Sequence, residues 1–192
     1  MKKALFVDCC IRKGSNTKKI ANEFLENLKN YKIESLILEK ENLKPLVGDF
    51  FEERQKLLEN NELNNPRFKY AHQIQEADLV IIAAPFWDLS FPALLKIYIE
   101  NISVDGITFK TSEKGLEGLC KAQNLIYITT RGGFYSDGTL ELAIPHLKAL
   151  SRFFGFSNFS YIAADGMDIQ GFDYKKSLDE AIKQARDLAK TL

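Results

Sequence analysis

Apolar residues fall along this chain in two alternating rhythms. Ala4–Val7 is a short unbroken apolar run ending at Asp8, the pattern of a strand buried on both faces. A polar stretch, Ile11–Thr17, follows, and then Ile20, Phe24, Leu25 and Leu28 recur on one face of a helix. Ile33–Leu38 reads as a second strand. The stretch from Glu39 to Asn65 is charged and less regular. Phe50, Phe51, Leu57 and Leu58 predict a helix within it, closed by Asn64-Asn65-Pro66. A helix from about Arg67 to Glu76 leads into Asp78–Ala84, the clearest buried strand of the chain, and Pro85 stops it.

Pro92 is placed as the first-turn proline of a helix carrying Leu94, Leu95, Tyr98 and Ile99. After a Gly-containing excursion, Asn124–Thr129 reads as a fourth strand. Leu140, Ala143, Ile144, Leu147 and Leu150 then mark a helix with Gly155 as its stop. Phe159–Ala163 is a fifth strand, and a last helix carries Leu178, Ile182, Ala185, Leu188 and Leu192.

Buried strands alternating with amphipathic helices predict an α/β fold, a doubly wound three-layer arrangement around a five-stranded parallel sheet in the order 2-1-3-4-5. With no repeat or linker, residues 1–192 are expected to form one domain. Ligands of such sheets bind beyond the carboxyl ends of the strands, at the switch between strands 1 and 3. The loops after Asp8, Ala84 and Thr129 are therefore the places where chemistry is expected.

Composition narrows the partners. Lys plus Arg equals Asp plus Glu at 26 each, so the net charge of zero gives no footprint for nucleic acid or an anionic membrane. No apolar run approaches the roughly 20 residues of a membrane span. The start, Met1-Lys2-Lys3, lacks a signal-peptide core, and a cytoplasmic location is expected. Three cysteines and two histidines, without ligand spacing, make a poor zinc set, and no metal is expected.

The first loop, Cys9-Cys10-Ile11-Arg12-Lys13-Gly14-Ser15-Asn16-Thr17, runs straight into a helix. N–H groups at a helix start carry partial positive charge and suit a phosphate, to which Ser15 and Thr17 add hydroxyls and Arg12 or Lys13 charge. Ser15 as a simple N-cap explains the same residues about equally well. There is no Walker G-x-x-x-x-G-K-S/T and no G-x-G-x-x-G. A cysteine phosphatase needs an arginine six residues after its nucleophile, and those positions hold Ser15 and Asn16.

The second loop, Ala84-Pro85-Phe86-Trp87-Asp88-Leu89-Ser90-Phe91-Pro92, packs three aromatics into six positions between two prolines. It offers flat walls for a planar ring system, or aromatic side chains for the core. The third, Thr129-Thr130-Arg131-Gly132-Gly133-Phe134, allows close backbone approach at its glycines.

These segments together resemble a known family. Ala84 to Ile99 is similar to the A-P-M-Y-N-F-x-x-P-x-x-L-K-x-Y-x segment of FMN-dependent NADH-azoreductases, within the flavodoxin-like NAD(P)H:quinone oxidoreductases. Gly106-Ile107-Thr108-Phe109 and Gly115-Leu116-Glu117-Gly118-Leu119 resemble the G-V-T-F and G-x-x-G-L pieces that follow. Thr130-Arg131-Gly132-Gly133 with Asp137-Gly138 resembles S-R-G-G…D-G. The resemblance implies a flavodoxin-like fold, bound FMN, NADH or NADPH as co-substrate, and a quinone or azo acceptor. It also implies a homodimer with active sites at the subunit interface.

By position, the resemblance places Cys10, Ser15, Asn16 and Thr17 at the phosphate. It places Pro85, Phe86, Trp87, Asp88 and Leu89 along the isoalloxazine, and Thr130, Arg131, Gly132 and Gly133 at the ring's polar edge. Cys10 stands where the family has serine, and a thiol is a poor donor. Asp88 replaces asparagine; a carboxylate cannot donate, and its charge disfavours an anionic reduced flavin. The flavin carries the chemistry, so no catalytic side chain is assigned. One pocket shared by both substrates predicts ping-pong kinetics. Arg131 and Tyr135 are placed either against the acceptor or at the surface.

A second reading is a flavin-binding electron carrier or redox sensor without turnover, using the adjacent Cys9 and Cys10. The neutral net charge argues against the carrier form. Asp8 is expected to fix its loop, His72 and His146 to be ordinary surface or capping residues, and Lys183, Arg186 and Lys190 to form a solvated face.

Overall fold

The computed structural model describes residues 1–113, 115–135 and 138–192; Asp137, one residue of the motif above, lies outside them. The parallel sheet is formed by β1 (Lys2–Asp8), β2 (Tyr31–Ile37), β3 (Leu79–Ala83), β6 (Asn124–Thr130) and β7 (Asn158–Ala164). Their order is β2-β1-β3-β6-β7, the expected arrangement once a separate hairpin is numbered in. That hairpin pairs β4 (Phe109–Ser112) with β5 (Gly115–Gly118) in antiparallel register and occupies the excursion that gave no strand signal.

Alternation along β1 sorts the core into two faces. Ala4 and Phe6 pack with Ile20 and Phe24 of α1 (Asn16–Asn27) and with Ala181, Ala185 and Ala189 of α6 (Tyr174–Lys190). Leu5 and Val7 point the other way. They join Ile74 of α3 (Lys69–Glu76), Leu95, Tyr98 and Ile102 of α4 (Ala93–Ile102), and Leu147 and Phe154 of α5 (Ala143–Phe154). The stripe of alanines lets α6 lie close to the sheet. Phe24, fully buried, is worth about 1.5–3 kcal/mol in transfer from water. The remaining helix, α2 (Gly48–Glu59), buries no residue fully and leans Leu57 and Leu58 on Phe68, Ala71, Val104 and Ile107.

Several boundaries shift from the sequence reading. Pro92 is the N-cap of α4 rather than a first-turn residue, with φ −57° and ψ 147°. Leu140 lies before α5 and is half exposed, and Leu192 lies beyond α6. Gly155 ends α5 as expected, in the left-handed region at φ 92°, where a β-carbon would be strained. Arg186 is exposed on α6 with Lys183 and Lys190, and it also bonds Glu23 of α1 at 2.7 Å. No helix is long and apolar enough to cross a membrane among the described residues.

Candidate active site

A cleft of about 290 Å³ opens beyond the carboxyl ends of β1, β3 and β6. Of the sequence-derived site residues, Cys10, Ser15, Asn16, Thr17, Pro85, Phe86, Trp87, Thr130 and Gly132 line it. Asp88, Leu89, Arg131 and Gly133 do not.

The first wall is the start of α1. Ser15 is its N-cap: the hydroxyl oxygen accepts from Lys18 N at 3.3 Å and the carbonyl accepts from Lys19 N at 3.1 Å. Asn16 and Thr17 are the first two helical residues, so their amides have no carbonyl one turn back within the helix. Capping and anion binding are thus compatible, because the cap consumes other donors. Arg12 and Lys13 line the same end. Thr17 and Thr130 join their hydroxyls at 2.7 Å across the floor, tying α1 to β6.

Asp8 holds this loop in place. One carboxylate oxygen accepts from Cys10 N at 3.0 Å and the other meets Lys18 Nζ at 2.5 Å. With both oxygens engaged, Asp8 is poorly placed to accept a phosphoryl group. Cys10 turns its thiol to the Ala83 carbonyl at 3.6 Å. Burial, then the Asp8 charge, pushes the Cys10 thiol up to about 12, and burial pushes Cys9 up to about 12 as well. Cys9 lies in the core under α4, whereas Cys10 packs on the α1 face. Neutral thiols on opposite faces of the chain argue against a Cys9–Cys10 redox element.

The second wall is a tight hairpin turn. Trp87 and Ser90 exchange backbone bonds of 2.9 and 2.8 Å, and Asp88 and Leu89 between them take left-handed φ values of 48° and 65°. Such residues cost on the order of 1–2 kcal/mol each relative to glycine, so the surroundings must hold the turn. Leu142 N, just before α5, does so by donating to Leu89 O at 2.9 Å. Phe86 and Phe91 point into the core, and Trp87 remains 36% exposed at the mouth. Phe86 also packs on Tyr135, with ring centroids 4.6 Å apart.

Arg131 is neither at the surface nor against the cleft. Its side chain, 9% exposed, makes a two-bond pair with Asp165 at 2.5 and 2.9 Å. This pair anchors a third wall that sequence reasoning missed, the loop after β7. Met167 and Asp168 line the cleft from this loop, and Tyr174, the first residue of α6, lines it where the loop ends. Their only sequence signal was position after a strand adjacent to the fourth. The cleft thus has a donor-rich, cationic end, an aromatic flank and a mouth open to solvent. Those residues fit a phosphate at one end and a planar ring at the other.

Residues 2–189 match the flavodoxin-like fold family. An FMN-dependent NADH:quinone oxidoreductase of Clostridium perfringens is 37% identical, covering 99% of both chains. Another, from Clostridium acetobutylicum, is 38% identical over 92% of this chain and 91% of its own. Among solved structures, an azoreductase from Bacillus anthracis superposes with a TM-score of 0.89 at 26% identity, over the full length of both chains. A B. anthracis FMN-dependent NADH-azoreductase in complex with FMN shares the fold, with a TM-score of 0.87 at 22% identity over 100% of this chain and 99% of that one. The chain belongs to the flavodoxin-like family that includes the FMN-dependent NADH:quinone oxidoreductases.

Proposed function

We propose that this chain is an FMN-dependent oxidoreductase that carries two electrons from NADH to a quinone or azo acceptor, built as one doubly wound three-layer domain. The observation that carries the reading is the cleft itself. It joins a helix start suited to an anion to an aromatic turn at the sheet's switch point, in a chain whose full-length relatives include FMN-dependent NADH:quinone oxidoreductases. When bound, FMN supplies the group that accepts a hydride and passes both electrons on.

The protein's part is binding and placement. The amides of Asn16 and Thr17, the Ser15 hydroxyl and the Arg12 and Lys13 charges hold the phosphate. Cys10 adds little, because its S–H is spent on a backbone carbonyl. Pro85, Phe86 and Trp87 make the wall for the ring, while Thr130 and Gly132 flank its polar edge. Asp88, Leu89, Arg131 and Gly133 act from behind, as the corners and anchors of the loops that carry those groups. No side chain is assigned a proton transfer. Both substrates use one mouth in turn, so the kinetics are ping-pong.

A homodimer completes the site. At about 290 Å³ the cleft sits at the lower edge of the ~300–1,000 Å³ of small-molecule sites, so one chain leaves its ligand partly uncovered. Ile11, Trp87, Leu89, Phe134, Leu142 and Phe172 each keep more than a third of their surface exposed. Phe134 and Phe172 stack edge to face, with ring centroids 4.9 Å apart, and a second copy would cover such exposed apolar side chains. The free thiols suit the reducing cytoplasm.

The test is steady-state NADH oxidation by a simple quinone with FMN present. Parallel double-reciprocal lines are expected; intersecting lines would overturn the shared mouth, and no oxidation would overturn the enzyme reading.

A further inference from the structure

The cleft's third wall carries a carboxylate, that of Asp168. Past β7 the chain keeps running beside the Arg131–Gly133 segment. Met167 N donates to Arg131 O at 3.1 Å, Asp168 N to Gly132 O at 3.0 Å, and Gly166 N to Gly133 O at 3.2 Å. The Arg131–Asp165 pair closes this ladder at its base. The backbone at position 168 is therefore fixed. Its carboxylate lies over Gly132, so close that a β-carbon there would come within 2.5 Å of Asp168 Oδ2. Glycine at 132 makes the room that this carboxylate occupies.

Asp168 makes no side-chain hydrogen bond or ion pair among the described residues, and it is exposed. The titratable and charged side chains lining the cleft are Cys10, Arg12, Lys13, Asp168 and Tyr174. Asp168 is thus the cleft's carboxylate among the described residues, an acceptor-only group beside otherwise donating walls. Asp88, which sequence resemblance put beside the ring, sits at the corner of its turn and does not line the cleft.

We propose that Asp168 sets the protonation of the reduced flavin, holding it in the neutral form by opposing negative charge at the ring edge near Gly132. The inference rests on the FMN reading above. Hydride transfer oxidises NADH to NAD⁺ and brings the flavin two electrons and one proton; a second proton from solvent completes the neutral reduced ring. A fixed anion alongside penalises omission of that second proton, so uptake of two protons persists to higher pH.

Reduction potentials of FMN-loaded protein, titrated with dithionite across pH, give the protons taken up per two electrons. Wild type is expected to change from two protons to one at a higher pH than Asp168→Asn, by about one pH unit. Asp168→Glu should stay near wild type. Because the Asp168 side chain bonds nothing in the fold, these variants keep their stability, which thermal unfolding checks. A transition unmoved by Asp168→Asn, or moved by Asp88→Asn instead, overturns the proposal and leaves the FMN reading intact. Wild type that retains no flavin defeats the FMN reading first, by absorbance alone.

Discussion

Breaking the Arg131–Asp165 pair from either side should cost unequal amounts. Arg131 is the more enclosed partner, with 9% of its side chain exposed against 22% for Asp165. Asp165→Asn strands a guanidinium away from water, and removing one partner of a buried pair costs about 3–5 kcal/mol. Partial solvent access through the Asp165 side argues for the lower end, about 3 kcal/mol. In Arg131→Met the remaining carboxylate reaches water, so about 1–2 kcal/mol is expected. For a chain of this length each kcal/mol moves the melting point by roughly 2–4 °C. Asp165→Asn should therefore melt some 6–12 °C below wild type, and Arg131→Met about half as far. Scanning unfolding of flavin-free protein measures both without ligand linkage. Equal losses, or losses of a degree or less, would refute the claim that burial of Arg131 dominates this wall.

Gly118→Ala should destabilise by about 2 kcal/mol or more, since the new carbon would lie 2.1 Å from Gly155 N and would push the hairpin off α5; an unchanged melting point would count against this packing. Replacing Asp88-Leu89 with Asn-Gly should stabilise by about 1 kcal/mol, because those residues take left-handed φ readily, and a lower melting point would speak against strain there. Cys9 and Cys10 should resist iodoacetamide at pH 8 by roughly a thousandfold relative to a free thiol, given values pushed up to about 12 from 9.0, and rapid labelling would contradict their burial. The same shifts make native protein bind more protons than unfolded chain between about 9 and 12. Stability should be full below that window and fall as pH rises through it, which denaturant midpoints against pH will show.

What the sequence disclosed depended on how local the cause was. β1, β3 and β6 are central strands, and a strand buried on both faces writes itself as an unbroken apolar run. β2 is an edge strand with residues 32–35 exposed, and the apolar reading of Ile33–Leu38 found it but missed its first two residues and ran one past its end. The β4–β5 hairpin, Phe-Lys-Thr-Ser against Gly-Leu-Glu-Gly, has too little apolar alternation to read. Its position is held by Gly118 lying against the end of α5, a contact between residues far apart in sequence.

The site divides in the same way. The helix start at Ser15 and the proline-bracketed aromatic loop are local patterns, and both face the cleft. Arg131 looked available because its partner, Asp165, stands 34 positions later. Asp168 reaches the cleft only because the chain beyond β7 continues along Gly132. Asp88 shows the converse. It sits in a family motif, yet the left-handed turn keeps it out of the cleft lining.

The most direct test of the account is to mix FMN-loaded protein with NADH under anaerobic conditions, without an acceptor, and follow the flavin absorbance. The account predicts that the absorbance bleaches with NADH alone and returns when a quinone is added. Bleaching that requires the quinone to be present, or a flavin that NADH never bleaches, would contradict it.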